Sequence, residues 1–469
     1  MAKPQIKTDY KNVTSGVIGR KHGITPRQLK SLEKRTRPLI SQINRQRRAG
    51  KTPYRDLPYS EGVSRDVNAI VKVLQKKCDY LVVLGIGGSA LGNIALDTAL
   101  RSFLPNPDDK RRGKPRLFVF DNVDPDQFGS FLDYIEPKLG RTVFNVISKS
   151  GRTSETAAQL MIIREMLISA LGKTGYRKRV VATTDANEGT LRRIADTDKL
   201  QTLEVPDGVG GRFSVLSAVG LFSAAMCGIN IERLLAGARD MDDRVTTTRF
   251  LKNPAAINAA INYHFYTHGK PISVMMSYSY ALNDVADWYR QLWAESLGKS
   301  RDLAGREVEI GPTPINALGT TDQHSQVQLY REGPNDKLFT FLQVKNFAKD
   351  LRIGPAPDCA PELGFLAGKK LSTLLNDEKK ATEYALLESK RPCLTVLFDK
   401  VDAYTVGQFI YLYEVTTSLA GALFNINPYD QPAVELGKEA TFALMGKEGY
   451  EDFAQEIQSK TEIDEDYLV

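Results

Sequence analysis

Short, nearly all-apolar runs recur along this chain, separated by longer stretches in which apolar residues return every three or four positions. The runs at 80–85 (YLVVLG), 117–120, 142–147 and 179–184 each end in polar or glycine turn formers. Runs of that length predict strands buried on both faces. Between them, 63–77 (VSRDVNAIVKVLQKK), 93–104 (NIALDTALRSFL) and 156–167 (TAAQLMIIREML) carry helical spacing. Strands alternating with helices in this way predict a parallel sheet covered on both sides. A small-residue helix at 215–229 and a charged helical passage at 228–260 follow. A second alternation then sets in, with strands at 272–276, 338–344 and 393–398 and helices at 281–297, 363–376 and 406–423. No tandem repeat is visible, but two alternations predict two related α/β lobes facing a cleft. The expected division is a helical N-terminal extension (1–60), a first lobe (61–235), a second lobe (236–425) and a C-terminal helical segment with an acidic tail (426–469).

Ligands of open α/β sheets sit at the carboxyl ends of the strands, so the loops that follow the strands come next. The strand at 142–147 runs into SKSGRTSET (148–156) and then a helix. A helix start leaves backbone N–H groups unpaired at its positive dipole end. One hydroxyl suffices for a cap, whereas this loop offers several hydroxyls, Lys149 and Arg152, which suits a phosphate. After the strand at 80–85 comes GIGGSALG (85–92). It falls short of the GxGxxG dinucleotide fingerprint because Ala90 stands at the third glycine position. Its backbone can still approach an anion or a sugar hydroxyl. A third glycine loop, DGVGGRFS (207–214), borders the same crevice.

With 469 residues, 42% hydrophobic and 25% charged, the chain falls in the globular range and exceeds one ordinary domain. No apolar run approaches the roughly 20 residues of a membrane helix, and MAKPQIKTDYKNV lacks a signal-peptide core. The expected location is the cytoplasm, with no membrane partner. Net charge is +7, concentrated in residues 1–60, which hold 15 Lys/Arg against 3 Asp/Glu. The cluster Arg45, Arg47, Arg48 and Lys51 is read as a solvated helix C-terminus rather than a nucleic-acid surface. Cys78, Cys227, Cys359 and Cys393 lack CxxC spacing and read as reduced, mostly buried thiols. The four histidines form no ligand motif; His264 and His268, four apart, are weak evidence alone. No metal and no cofactor are expected.

Four further side chains have acid–base potential. Arg212, between Gly211 and Phe213, can stabilise an oxyanion or make a structural salt bridge in a turn. Glu295 shares a helix stripe with Gln291, beside a buried face of Leu282, Val285, Ala286, Tyr289, Leu292 and Trp293. Alone it reads as an ordinary surface carboxylate; beside Trp293 it can serve as a base. His324 lies in the polar loop GTTDQHSQ (319–326) and Lys438 ends YDQPAVELGK (429–438). Together these supply a base, a switchable acid, a cation and an oxyanion stabiliser, without a nucleophile. That inventory suits proton transfer next to a carbonyl.

From about residue 60 to 445 the chain resembles the glucose-6-phosphate isomerases in their shorter bacterial form. The resemblance rests on DGVGGRFSVLSAVG (207–220), GALFNINPYDQPAVELGK (421–438), GIGGSALG, SKSGRTSET, QLWAESLGK and GTTDQHSQ, in that family's order. It implies two sugar-isomerase (SIS) lobes, each a parallel sheet flanked by helices, plus a C-terminal helical region. It also implies cofactor-free interconversion of glucose 6-phosphate and fructose 6-phosphate through a cis-enediol(ate). By the same resemblance Ser148, Lys149, Ser150 and Thr153 bind phosphate, with Gly88 and Ser89 bordering the pocket. His324, aided by Lys438, opens the ring, and Glu295 moves the C2 proton to C1. Arg212 stabilises the negative charge, with Gly211 beside it and Gln291, Gln431 and Glu155 orienting the sugar. The resemblance further implies a homodimer in which His324 crosses the interface. Three rivals stand beside this reading: a mannose 6-phosphate isomerase, a non-catalytic sugar-phosphate sensor, and a nicotinamide dehydrogenase, the last opposed by Ala90.

Overall fold

The computed structural model describes residues 3–101 and 114–469. The expected helix at 93–104 is seen as Leu91–Leu100, and its residues 102–104 lie outside the described ones. The described chain opens with strand β1 (Ile6–Asp9). The first alternation then forms β2 (Tyr80–Leu84), β3 (Arg116–Phe120), β4 (Thr142–Ile147), β5 (Val180–Thr184) and β6 (Gln201–Glu204). These make one parallel sheet in the order β3-β2-β4-β5-β6. All six residues of β4 are buried, as a central strand between two helical layers demands.

The second alternation forms β7 (Ile272–Tyr278), the hairpin β8 (Lys299–Arg301) and β9 (Glu307–Ile310), then β10 (Thr313–Leu318), β11 (Lys337–Asn346) and β12 (Cys393–Lys400). The second sheet has the order β1-β12-β11-β7-β10 and is parallel apart from its antiparallel edge strand β1. The molecule is therefore α/β with two parallel sheets flanked by helices, as expected.

Three elements correct the expected outline. The first 60 residues are more than a helical extension, because β1 completes the second sheet, pairing Ile6 with Phe398. The signal was weak, since IKTD holds one apolar residue and derives its place from a partner strand some 390 residues away. The helix expected at 363–376 begins later, at Leu371–Glu388, after a 3-10 turn at Pro361–Phe365. Gly368 at φ +73° breaks the earlier segment. Finally, position 235/236 falls inside helix Ile231–Val245, and that helix packs with Pro254–Thr267 along helix Ala403–Phe424.

Helix Ala403–Phe424 is the axis of the core. It is buried on every side for nearly all its length, which marks a helix enclosed by other elements rather than laid on a surface. A capping box at Asp402 and Thr405 starts it, and left-handed Asn425 (φ +60°) ends it. Beyond it, helices Ala433–Leu444 and Glu451–Thr461 lie mostly exposed.

The basic N-terminal segment is tied to this axis by charge. Helix Pro26–Arg48, started by a Thr25–Gln28 capping box, brings Arg47 to Asp242 at 2.6 Å. Arg55 donates to Asp242 at 3.0 Å and to Asn44 at 3.0 Å, while Tyr411 and Tyr59 donate to the same carboxylate at 2.7 and 2.8 Å. Arg47 is thus not part of a solvated helix end, as its sequence position suggested, but a counter-ion to a buried carboxylate. Burial alone would raise the Asp242 pKa, but hydrogen bonds from Arg47 and Tyr411 and the charge of Arg55 hold it below the ordinary carboxylate value.

Asp242→Asn strands the buried Arg55 guanidinium and leaves Arg47 with Asp56 alone, and should cost about 3–5 kcal/mol in denaturant unfolding. Because the folded-state pKa is depressed, this contribution is complete above the unfolded carboxylate value and lost as pH falls through the folded one. The stability gap between the wild type and Asp242→Asn should therefore narrow in acid and stay constant near neutrality.

Candidate active site

In the first sheet the chain moves from β2 to β3 on one side and returns to β4 on the other, so the carboxyl ends of β2 and β4 flank a topological switch point. The loops after β2, β4, β5 and β6 open there into a cavity of about 1090 Å³. Its opposite wall is the carboxyl-terminal part of helix Asn283–Leu297 and one face of helix Ala433–Leu444, from Val434 to Phe442. Two glycine loops meet at its base. A Cβ on Gly88 would lie 2.2 Å from the Gly211 carbonyl carbon, so position 88 tolerates no side chain at that contact.

The loop after β4 is shaped by its own hydroxyls. Ser148 Oγ accepts from the Gly151 N–H at 3.0 Å, and Ser150 Oγ accepts from the Arg152 N–H at 3.3 Å. Gly151 turns the chain at φ +67°, where a Cβ would meet the Leu191 nitrogen at 2.1 Å. Thr153 is the N-cap of helix Ser154–Arg179, yet its hydroxyl makes no capping bond and stands 3.4 Å from Ser148 Oγ. It is therefore available to a ligand at the positive end of a long helix. Lys149 reaches across the cavity mouth to Asp207 at 2.9 Å.

Arg212 forms the floor. Its guanidinium is buried and donates to Ser296 Oγ (2.7 Å), Glu295 Oε2 (3.1 Å), Gln431 Oε1 (2.7 Å) and the carbonyls of Pro428 (2.8 Å) and Asp430 (3.0 Å). Desolvation lowers its pKa against the pull of Glu295. Of the two readings that sequence left open for Arg212, the structure shows the salt bridge, and its partner is the candidate base Glu295. Glu295 keeps one third of its side chain exposed, facing the cavity. Lys299 Nζ donates to the carbonyls of Glu295 and Asp430 at 2.8 and 2.9 Å. Burial, and after it the nearby charge of Arg212, lower its pKa.

Of the residues singled out from the sequence, all line this cavity except two. Ser148 is buried behind the loop that it shapes. His324 is exposed at the end of the 3-10 turn Thr321–Gln323, after β10, and does not line the cavity. Among the described residues, no three His, Cys, Asp or Glu side chains converge as metal ligands would.

The profile of the family Phosphoglucose isomerase matches residues 68–462. The chain belongs to the phosphoglucose isomerase family. It is 45% identical over 427 residues to a glucose-6-phosphate isomerase of Carboxydothermus hydrogenoformans, covering 91% of each chain. It is 42% identical to that of Rubrobacter xylanophilus, over 94% of this chain and 98% of the relative. Among solved structures, a Thermus thermophilus protein called hypothetical superposes with a TM-score of 0.82 at 32% identity, over 94% of this chain and all of the other. A glucose-6-phosphate isomerase of Chlamydia trachomatis has the same fold, with a TM-score of 0.78 at 21% identity over 97% and 92% of the two chains.

As a phosphoglucose isomerase family member the chain is an enzyme of the isomerase class. Its cavity also includes residues that sequence reasoning passed over. Glu188 and Arg193 come from the loop after β5 and the start of helix Thr190–Asp198. The signal was available, because that polar loop follows a buried strand, but no phosphate-like motif drew attention to it. Lys299 stood in a quoted motif without a role, and only the return of residues 428–431 gives it one. Arg152 lines the cavity and, among the described residues, its side chain takes no ion-pair partner.

Gly88→Ala would force the two glycine loops apart. Activity should fall by about two orders of magnitude, since a shift near 1 Å in the positioning of reacting groups costs that much. Steady-state kinetics of the folded variant provide the check, and unchanged kinetics would mean the loop contact is dispensable.

Proposed function

We propose that the protein interconverts D-glucose 6-phosphate and D-fructose 6-phosphate in glycolysis and gluconeogenesis, as a cytoplasmic homodimer without a cofactor. The observation that carries this reading is the Arg212–Glu295 pair on the floor of a cavity whose rim is a Ser/Thr loop at a helix N-terminus. The phosphate of the substrate sits on Lys149, Ser150 and Thr153, with Ser148 shaping the loop and Gly88 and Ser89 beside it. Holding the phosphate far from the reacting carbons supplies binding energy for orientation at C1 and C2. His324 of a second copy, with Lys438, moves the proton between the ring oxygen and the C1 hydroxyl. Glu295 then removes the C2 proton, which is acidified by the C1 carbonyl, and returns it to C1. The negative charge of the cis-enediolate develops near Arg212, a cation already fixed and desolvated, so no reorganisation is needed as the charge appears. Gln291, Gln431, Glu155 and the Gly211 backbone orient the sugar hydroxyls.

The position of His324 supports a dimer. It is exposed and does not line the cavity of its own chain, while Leu329, Leu351, Leu363 and Phe365, later in the same lobe, are large apolar side chains that stand exposed. No helix of the described chain is long and apolar enough to cross a membrane.

Glu295→Gln should slow turnover by about a thousandfold, the scale of a lost general base, with sugar-phosphate affinity nearly kept. Proton NMR in heavy water reads both, because fructose 6-phosphate formed by the wild type carries deuterium at C1. Loss of binding as the main effect would refute the base assignment. Mixing inactive Glu295→Gln and His324→Ala subunits should restore about one quarter of wild-type activity, since one site of each mixed dimer is intact. No recovery in proven mixed dimers would place His324 outside the partner's site.

A further inference from the structure

The N-terminal segment packs behind the residues that form the floor of the cavity. Residues Pro53–Tyr59 form a 3-10 helix, fastened to the core by the Arg55–Asp242 pair and by Arg55 with Tyr411 at 3.3 Å. From it Tyr54, wholly enclosed, packs its ring 4.8 Å from Phe213 and 6.2 Å from Tyr429, centre to centre. Phe213 and Tyr429 close the triangle at 5.7 Å. The Tyr54 hydroxyl is anchored to Ser418 Oγ on the core helix at 2.6 Å. Pro53 completes the contact, its Cγ lying 3.0 Å from where a Cβ on Gly208 would stand.

Two of these rings flank the chain segments that hold Arg212. Phe213 is its neighbour in sequence, with the guanidinium carbon 5.6 Å from the ring centre. Tyr429 lies between Pro428 and Asp430, whose carbonyls accept two of the Arg212 hydrogen bonds. A guanidinium is aimed by its acceptors, and backbone carbonyls move only when their segment moves. The separation of the 211–213 and 428–431 segments therefore sets the aim of Arg212, and the ring of Tyr54 packs on the side chain that each segment presents, Phe213 and Tyr429.

We propose that Tyr54 is a positioning residue for the isomerisation, acting through Phe213 and Tyr429 on the Arg212 guanidinium. The inference rests on the reading that Arg212 stabilises the enediolate. Its effect is confined to the step in which charge develops, because Tyr54 touches neither the phosphate loop nor the cavity.

The test compares Tyr54→Leu and Tyr54→Phe with the wild type, in full-length folded protein, by kcat, KM and two inhibitors. One inhibitor is a sugar-phosphate hydroxamate, whose planar anion imitates the enediolate; the other is glucitol 6-phosphate, which has no such anion. Tyr54→Leu should lower kcat about tenfold or more, as expected when a preorganised donor is misaimed, with KM near wild type. Hydroxamate affinity should fall in step with kcat while glucitol 6-phosphate affinity holds. Tyr54→Phe, which keeps the ring, should restore most of the loss. In an Arg212→Ala background Tyr54→Leu should cost nothing more, because coupled residues are non-additive. Unchanged kcat, a parallel loss of both inhibitors, or additivity with Arg212→Ala would each overturn the inference. If Arg212→Ala itself leaves the preference for hydroxamate intact, the enediolate reading fails instead. Should Tyr54→Leu not fold, Phe213→Leu tests the same triangle from its other corner, with the same outcomes deciding.

Discussion

A buried guanidinium is the constraint around which the cavity is assembled. Arg212 has five donors and no acceptor, and each donor left unpaired in the interior would cost a large desolvation penalty. The chain meets this demand with five acceptors from two distant segments, 295–296 and 428–431. Neither segment can leave without stranding charge. The loop after β6, the end of helix Asn283–Leu297 and the return after the core helix must therefore come together as one unit. What that unit presents to the cavity is a fixed cation beside a carboxylate one third exposed, the pairing on which the proposed proton transfer rests.

The two sheets serve this unit unequally. The first supplies the rim, because all four of its loops at the switch point open into the cavity. The second contributes the helix after β7, which carries Gln291 and Glu295, and the loops directly after β10, β11 and β12 do not line the cavity. Helix Ala403–Phe424 joins them. It is buried on nearly every side, so both lobes pack on it, and the Asp242 network bolts the N-terminal segment to the same axis. Positive charge concentrated in the first 60 residues thus has a structural use for Arg47 and Arg55, which neutralise a carboxylate that the core helices bury.

Much of this was legible in the residues. Parallel-sheet strands are apolar on both faces, so β2, β4, β5, β7, β11 and β12 stood out from composition alone. The loop hydroxyls, the glycine pairs and the stripe holding Gln291 and Glu295 followed from local spacing. Of the four edge strands of the two large sheets, only β3 was legible, from its apolar run at 117–120. β1 and β6 are short and half polar, since an edge buries less, and β10 carries Pro314; their pairing energy comes from neighbours that sequence places far away. The helix expected at 363–376 failed for a local reason, the positive φ at Gly368, which periodicity does not register.

By itself the sequence determined the fold class and singled out the candidate loops for a phosphate and the candidate acid–base side chains, because these depend on residue type and short-range spacing. Only the tertiary structure decided which of them meet. Glu295 was an unremarkable carboxylate until Arg212 closed on it, Lys299 had no role until residues 428–431 returned, and Tyr54 was one aromatic among many until it stood against Phe213 and Tyr429. The physical reason is that desolvation, ion pairing and ring packing are properties of surroundings assembled from distant segments, and no window of sequence contains them.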